Sequence, residues 1–560
     1  MKITHICTIV AAVLLVAFAL ASCGEDPVST TGTETTVVTT DGTATSTTEA
    51  TTEATTATTT TTVETTTEAT TEATATTVET TTETTTEATT TDIINIIHGL
   101  DGTDYTVICD GEFDDENIVF QVGVVSDIHQ NENGGGNNSV KLQNALKEIK
   151  NLAGGKLDGI LCSGDITDNA TLVQMNQFKT NYESVFNAVE TPFVFCYGNH
   201  DAGGSGNASI ANFQAWLGKD YFKTDVDTSM LKTGNRHCVI NGFHVIAVMP
   251  QTFSSYGEAV FSEETLTWLD NTLAEITKAN PNQMVFVLSH AMPYDTCYGS
   301  TLQTTTASGG LGWYTKDLVS VVGKYNQVMT LSGHLHFPTN DERSIMQTTF
   351  TAVGCASVRY MAIENGNYID MSSATVMKDC NEYSQGLLLS VDKNGNTRIV
   401  KLDFYNGGFI KTAWVVPAPK ADGSHLTVYG KDRANNSAPS FEGKTVKVEV
   451  NSKTSSSVVA KVVFDAASDD DLIHDYTLTV TNTRTNSVKA TYNILADFYK
   501  HIDPADMKAV YEQPIKGSIK DNDVYKVVIT ARDSWGNSAE ASCYFKCDVA
   551  SGTITMVDGQ

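Results

Sequence analysis

The stretch "IVFQVGVVSDIH", residues 118–129, decides the fold. An apolar run of strand length (118–125) ends abruptly in Ser126, Asp127, Ile128 and His129. Downstream, Leu142, Ala145, Leu146, Ile149 and Leu152 have the spacing of one face of an amphipathic helix, with Ser139 placed to cap it. "LDGILC" (157–162) is the next strand, and Leu172, Met175, Tyr182, Phe186 and Val189 repeat the helical spacing. "PFVFC" (192–196), "MVFVLS" (284–289) and "QVMTLS" (327–332) are further buried-strand candidates. Asn241-Gly242 and Asn394-Gly395 each separate two strand-like runs, a strong hairpin signal. Buried strands mixed with helices and hairpins predict a layered α/β domain running to about residue 418.

What ends each strand is chemically distinctive. The first ends in Asp127 and His129, the second in Ser163-Gly164-Asp165 and the third in Gly198-Asn199-His200-Asp201. "MVFVLS" leads directly to His290, and "QVMTLS" to Gly333-His334-Leu335-His336. In open α/β sheets ligands bind beyond the carboxyl ends of strands, so these side chains are expected to converge. Five of the 12 histidines of the chain fall in these blocks. Each block alone is an ordinary turn; their order and context carry the signal.

The ordered set D-x-H, G-D, G-N-H-D, H and G-H-x-H resembles the calcineurin-like metallophosphoesterases, over roughly residues 118–340 and more loosely to 418. The resemblance implies two β-sheets flanked by helices, with two metal ions at the strand ends. By it, Asp127, His129 and His336 hold one ion, Asn199, His290 and His334 hold the other, and Asp165 bridges them. No block is missing. Imidazole nitrogens mixed with carboxylate oxygens suit Fe, Mn or Zn better than Mg or Ca. Two such ions can activate water and clamp a phosphoryl group. His200 is left without a metal role; it is expected to protonate the leaving oxygen, with Asp201 fixing its tautomer.

The expected reaction is hydrolysis of a phosphate ester. "SGDITDNATLVQMNQF" resembles a segment of bacterial cyclic-nucleotide phosphodiesterases in this superfamily. The Tyr that follows Gly-Asp in purple acid phosphatases has no counterpart among Ile166, Thr167 and Asp168. A phosphodiesterase is therefore favoured over a phosphomonoesterase or nucleotidase on the same site. A surface binding protein with incidental hydrolysis is the rival from another class. "QNENGGGNNS" (130–139) reads either as a substrate-selecting rim loop or as a plain surface turn.

The amino end predicts where the domain works. A basic start and an apolar run from Ile6 to Ala21, too short for a comfortable membrane span, read as a secretory signal over residues 1–22. Leu20-Ala21-Ser22-Cys23-Gly24 resembles a bacterial lipobox, which implies cleavage before Cys23, lipidation of its sulfur and a membrane-anchored, extracytoplasmic chain. Residues 23–92 form a Thr/Glu-rich stretch in which "TTVETTTE" occurs at 61–68 and 76–83. Without large apolar residues it cannot offset the entropy of ordering, and it is expected to be an extended stalk of the order of 200 Å. The formal charge is −30; residues 24–92 hold 13 carboxylates and no Lys or Arg, and Lys2 adds one positive charge, leaving −18 for residues 93–560. That balance argues against long nucleic acids as partners. Eleven cysteines show no zinc-type CxxC pair and no disulfide framework, so Cys162 and Cys196 read as buried free thiols.

Residues 93–418 are assigned to the phosphoesterase domain and 419–560 to an all-β sandwich. Strand-like runs at 444–450, 457–464, 475–482, 488–494 and 524–531 support the latter, and "YKVVITARDSWGNSA" (525–539) resembles the last hairpin of fibronectin type III or immunoglobulin-like domains. Contact with cell-wall carbohydrate and a plain spacer role both stay open for it. Asp465, Asp469, Asp470, Asp471 and Asp475 form either a calcium site or a solvated loop.

Overall fold

Burial explains why the Ile118–Val125 strand anchors the architecture: its last six residues are all buried, so both faces are covered. In the computed structural model it pairs in parallel with Gly159–Cys162, which pairs in parallel with Phe193–Phe195. On its other side it meets Gln385–Asp392 in antiparallel fashion, followed by Thr397–Asp403, to which Gly408–Phe409 and Trp414–Val416 both pair, completing seven strands. A second seven-stranded sheet runs Ile345–Gln347, Thr351–Gly354, Val328–Ser332, Val285–Leu288, Phe243–Ala247, Arg236–Ile240, Asp225–Asp227. The structure describes residues 93–202, 213, 225–253, 258–301, 303–306, 309–312, 314–364, 374–376, 379, 381–410 and 412–558. The signal, Cys23 and the stalk lie outside them.

The two sheets face each other through one core. Phe120, Val122, Val124, Leu161 and Val194 from the first sheet share a cluster with Val245, Phe286, Leu288, Met329 and Leu331 from the second. Strand alternation sends the intervening residues outward, so Val285 and Val287 pack with Leu269, Leu273 and Ile276 of the Glu263–Ala279 helix. Helices Asn137–Leu152 and Leu172–Glu183 cover the outer face of the first sheet through Leu142, Leu146, Ile149, Met175, Phe178 and Tyr182. Gly123 permits the approach, since a Cβ there would lie 2.6 Å from Ile149 Cγ2. Helix, sheet, sheet and helix stack in that order, the layered α/β class read from the sequence.

The helix ends differ from expectation. The first helix begins at Asn137 after Gly136, and no side chain caps it. Ser139 lies inside its first turn, where its hydroxyl donates to the Asn133 carbonyl and accepts from Gln130. The second helix stops at Glu183; Phe186 is buried beyond it, and Val189 is exposed. Both hairpins form where Asn-Gly placed them, with Asn241, Gly242 and Gly395 at positive φ.

Beyond residue 418 the chain still packs on this domain: Tyr429 donates to Asp110, and Arg433 donates to the Glu342 carbonyl at 3.1 Å. The C-terminal region that follows is β-rich. It comprises a three-stranded sheet (Val446–Lys453, Val458–Asp465, Val510–Pro514) and a five-stranded one ordered Ser487–Leu495, Ile473–Asn482, Val524–Asp533, Ser538–Asp548, Thr553–Val557. The hairpin at 525–539 is therefore not the last, because Thr553–Val557 adds a further strand.

This region is welded to the α/β domain. Buried His474 meets the Tyr298 hydroxyl at 3.1 Å, and Tyr298 packs on Phe337 with ring centroids 4.6 Å apart. Asp475 pairs with Arg532, and Asp465 accepts from Thr445. Two of the five carboxylates offered as a calcium site are thus committed elsewhere. His237 and His244 bond to each other at 2.9 Å across their hairpin. Seven of the eight described cysteines are buried.

Candidate functional site

The five motif blocks meet at the carboxyl ends of the strands because the chain turns sharply there. Eleven described non-glycine residues have positive φ, and Asp127, His129, Asp165, His334 and His336 are five of them. Each such residue costs about 1–2 kcal/mol, and such strain clusters at functional sites. The turns are laced to one another: Asp127 N–H donates to the Gly164 carbonyl at 3.0 Å, His129 N–H to Asp165 at 2.8 Å and Gly333 N–H to His290 at 3.1 Å. Gly198 and Gly333 are required by close approach, since a Cβ would strike the Asp165 carboxylate in one case and Ser126 in the other.

Three groups of side chains converge: Asp127, His129 and His336; His129, Asp165 and His200; and Asp165, His290 and His334. His336 Nε2 lies 3.0 Å from Asp127 Oδ1 and 3.3 Å from His129 Nε2. His290 Nε2 lies 3.2 Å from Asp165 Oδ2 and 3.2 Å from Asn199 Oδ1, which brings the last expected ligand into the cluster.

The hydrogen bonds behind the rings determine what the rings can do. His290 Nδ1 faces the Ser163 carbonyl at 2.8 Å, His336 Nδ1 the Tyr360 carbonyl at 3.2 Å, and His129 Nδ1 the Asp168 carboxylate at 3.2 Å. Each Nδ1 therefore donates, leaving Nε2 as a lone pair directed at other acceptors. Lone pairs facing carboxylates in a buried site need a cation between them, either a proton or a metal ion. Burial works against a proton on His290, yet Asp165 raises its pKa to about 9. Burial would also raise the Asp127 pKa, but His336 holds it down at about 2. Burial lowers His129 to about 4 and His334 to about 3, so both rings stay neutral and able to ligate. The donor set thus fits transition-metal ions.

Residues 120–338 match the family model for the calcineurin-like phosphoesterases. Residues 120–338 thus form a metallophosphoesterase domain. No curated protein matches it. Metallophosphoesterases of this family use a dinuclear metal centre, and the clusters above are groups that could hold metal ions.

Two further residues of the phosphoesterase depart from what the sequence suggested. Asp201 does not hold His200. Its buried carboxylate accepts from the Ile166 and Thr167 amides at 3.0 and 2.8 Å and from Gly198 N–H at 3.1 Å. It fixes the loop that carries Asp165, and burial first, then Asp165, raises its pKa to about 6. His200 instead donates from Nδ1 to the Asp168 carbonyl at 2.8 Å, while its own N–H donates to Asp165 Oδ1 at 2.9 Å. Asp168, passed over in the sequence, is thus a hub: its carbonyl holds His200, and its carboxylate holds His129 and, at 2.6 Å, Arg359. Its three-residue spacing from Asp165 was the available signal; Arg359 had none.

Proposed function

We propose that this metallophosphoesterase is a phosphodiesterase working outside the cytoplasm from a lipid anchor. The observation that carries the hydrolytic reading is the convergence of acceptors on one another, with His290 Nε2 facing both Asp165 and Asn199 oxygens at 3.2 Å. Asp127, His129 and His336 would hold one ion, Asn199, His290 and His334 the other, with Asp165 shared. When bound, a metal pair supplies Lewis acidity toward phosphoryl oxygens and makes water a stronger nucleophile.

The protein groups position and protonate. His200 has Nδ1 committed to the Asp168 carbonyl, so Nε2 is the atom that carries the exchangeable proton. It stands edge-on to the His129 ring, 4.5 Å between centroids, where it can deliver that proton to a departing oxygen. The diester preference is supported by Ile166, Thr167 and Asp168, which follow Asp165 without the tyrosine of purple acid phosphatases. The location is supported by the lipobox-like Leu20–Gly24 segment ending the apolar run.

The test is hydrolysis of bis-p-nitrophenyl phosphate and p-nitrophenyl phosphate by the purified chain loaded with Mn, Fe or Zn. Faster turnover of the diester is expected. A faster monoester reaction would transfer the reading to a phosphomonoesterase, and no hydrolysis of either compound would sink both. Cys23→Ser is expected to move the chain out of the membrane fraction; retention there would remove the anchor.

A further inference from the structure

We propose that Arg359 is a substrate-binding residue, which grips a non-bridging phosphoryl oxygen with the guanidinium edge that its ion pair leaves open. This rests on the hydrolytic reading above. Arg359 lies just past the Thr351–Gly354 strand, and its main chain is pinned: its N–H reaches Ser357 Oγ at 3.1 Å and the Asp127 carbonyl at 3.2 Å. Its carbonyl accepts from buried Lys141 at 2.6 Å. The side chain therefore leaves a fixed point beside a metal-ligand residue.

Its direction is equally constrained. Nη1 bonds at 2.6 Å to Asp168 Oδ1, the same oxygen that His129 Nδ1 meets at 3.2 Å. The guanidinium is thus one shared atom away from a metal-ligand ring. Tyr360 closes the other flank, 4.2 Å from the His336 ring and with the Arg359 guanidinium 5.7 Å from its own. Among the described residues, Asp168 is the hydrogen-bond partner of the Arg359 side chain, and that side chain remains 27% exposed. Among the described residues, Nε and Nη2 face no protein acceptor. A guanidinium fastened on one side and open on the other, at the rim of a site for phosphate esters, has the fork that binds phosphoryl oxygens in pairs.

Inorganic phosphate, which presents the non-bridging oxygens shared by all phosphate esters, is the probe. Calorimetry would measure its affinity for the metal-loaded parent, Arg359→Ala and Arg359→Lys, with metal content measured on each. Losing hydrogen bonds to a charged group is expected to weaken phosphate binding about 10- to 100-fold in Arg359→Ala, with metal content unchanged and KM affected more than kcat. Lysine can rebuild the pair with Asp168 but cannot offer a second edge, so Arg359→Lys should recover only part of the affinity. Unchanged affinity in Arg359→Ala overturns the proposal, as does loss that tracks metal loss, or full recovery with lysine. A parent that hydrolyses esters while Arg359→Ala binds phosphate normally would sink this inference alone. A parent that binds phosphate through Arg359 yet hydrolyses nothing would sink the hydrolytic reading alone.

Discussion

A histidine tied by one nitrogen to a main-chain oxygen has a single nitrogen left for chemistry, and His200 is in that position. Replacing it with Ala is expected to reduce kcat by about 10²–10⁴ while leaving metal content intact. The loss should shrink for esters with good leaving groups, because these need less protonation. An equal loss across leaving groups would argue against proton donation. Asp201 predicts a different phenotype, since its carboxylate bonds the Asp165 loop and not His200. Asp201→Ala should lower Tm and metal occupancy, and the pH profile of whatever activity remains should keep its shape. The ligand residues were legible because each follows an apolar run within a few positions. The contacts among Asp168, His129 and Arg359 were not, because Arg359 is 191 positions from its partner.

Elements show where local pattern sufficed and where tertiary context prevailed. Apolar runs located the five strands of the site to within a residue or two. The start of the Asn137–Leu152 helix was misplaced because Ser139, a good capping residue in isolation, bonds instead to the Gln130 and Asn133 loop. The same helix carries a pH-dependent liability in Glu148. Burial, then the charge of Asp403, pushes its pKa up to about 7. A carboxyl whose folded value exceeds its unfolded one opposes the fold when ionised. The penalty is absent in acid and grows as pH rises from the usual carboxylate range through about 7. Glu148→Gln should therefore melt above the parent at about pH 8 and together with it at about pH 4.5. A Tm difference independent of pH would contradict this.

At the scale of the molecule, the phosphoesterase domain and the β-rich region share one apolar cluster, which runs from Leu269 and Val287 through Phe337 to Tyr476 and Phe498. The Tyr298–His474 contact sits inside it. Residues 93–558 should therefore unfold in one calorimetric transition. His474→Ala should lower that transition as a unit, at a cost of about 2–4 kcal/mol for stripping a buried polar network. Two resolved transitions would show the regions to be independent. Composition and turn signals revealed the strands of the C-terminal region but not this attachment, because the residues that make it are ordinary core types in both halves.

The cysteines give the fold a property of a different kind. Cys162, Cys196, Cys238 and Cys355 are wholly inaccessible, and Cys109 and Cys297 nearly so. Burial pushes the thiols of Cys162 and Cys196 far above their ordinary value, Cys297 and Cys355 to about 12 and Cys109 to about 11. Thiolate is the species that oxidants and alkylating agents attack. The five raised thiols are thus shielded twice, by access and by protonation, and their redox safety lasts only as long as the packing around them. Labelling of these sulfurs should follow the rate at which the domain opens, and rapid modification under native conditions would refute the shielding. Under the proposed export to an oxidising compartment, folding speed itself becomes the antioxidant.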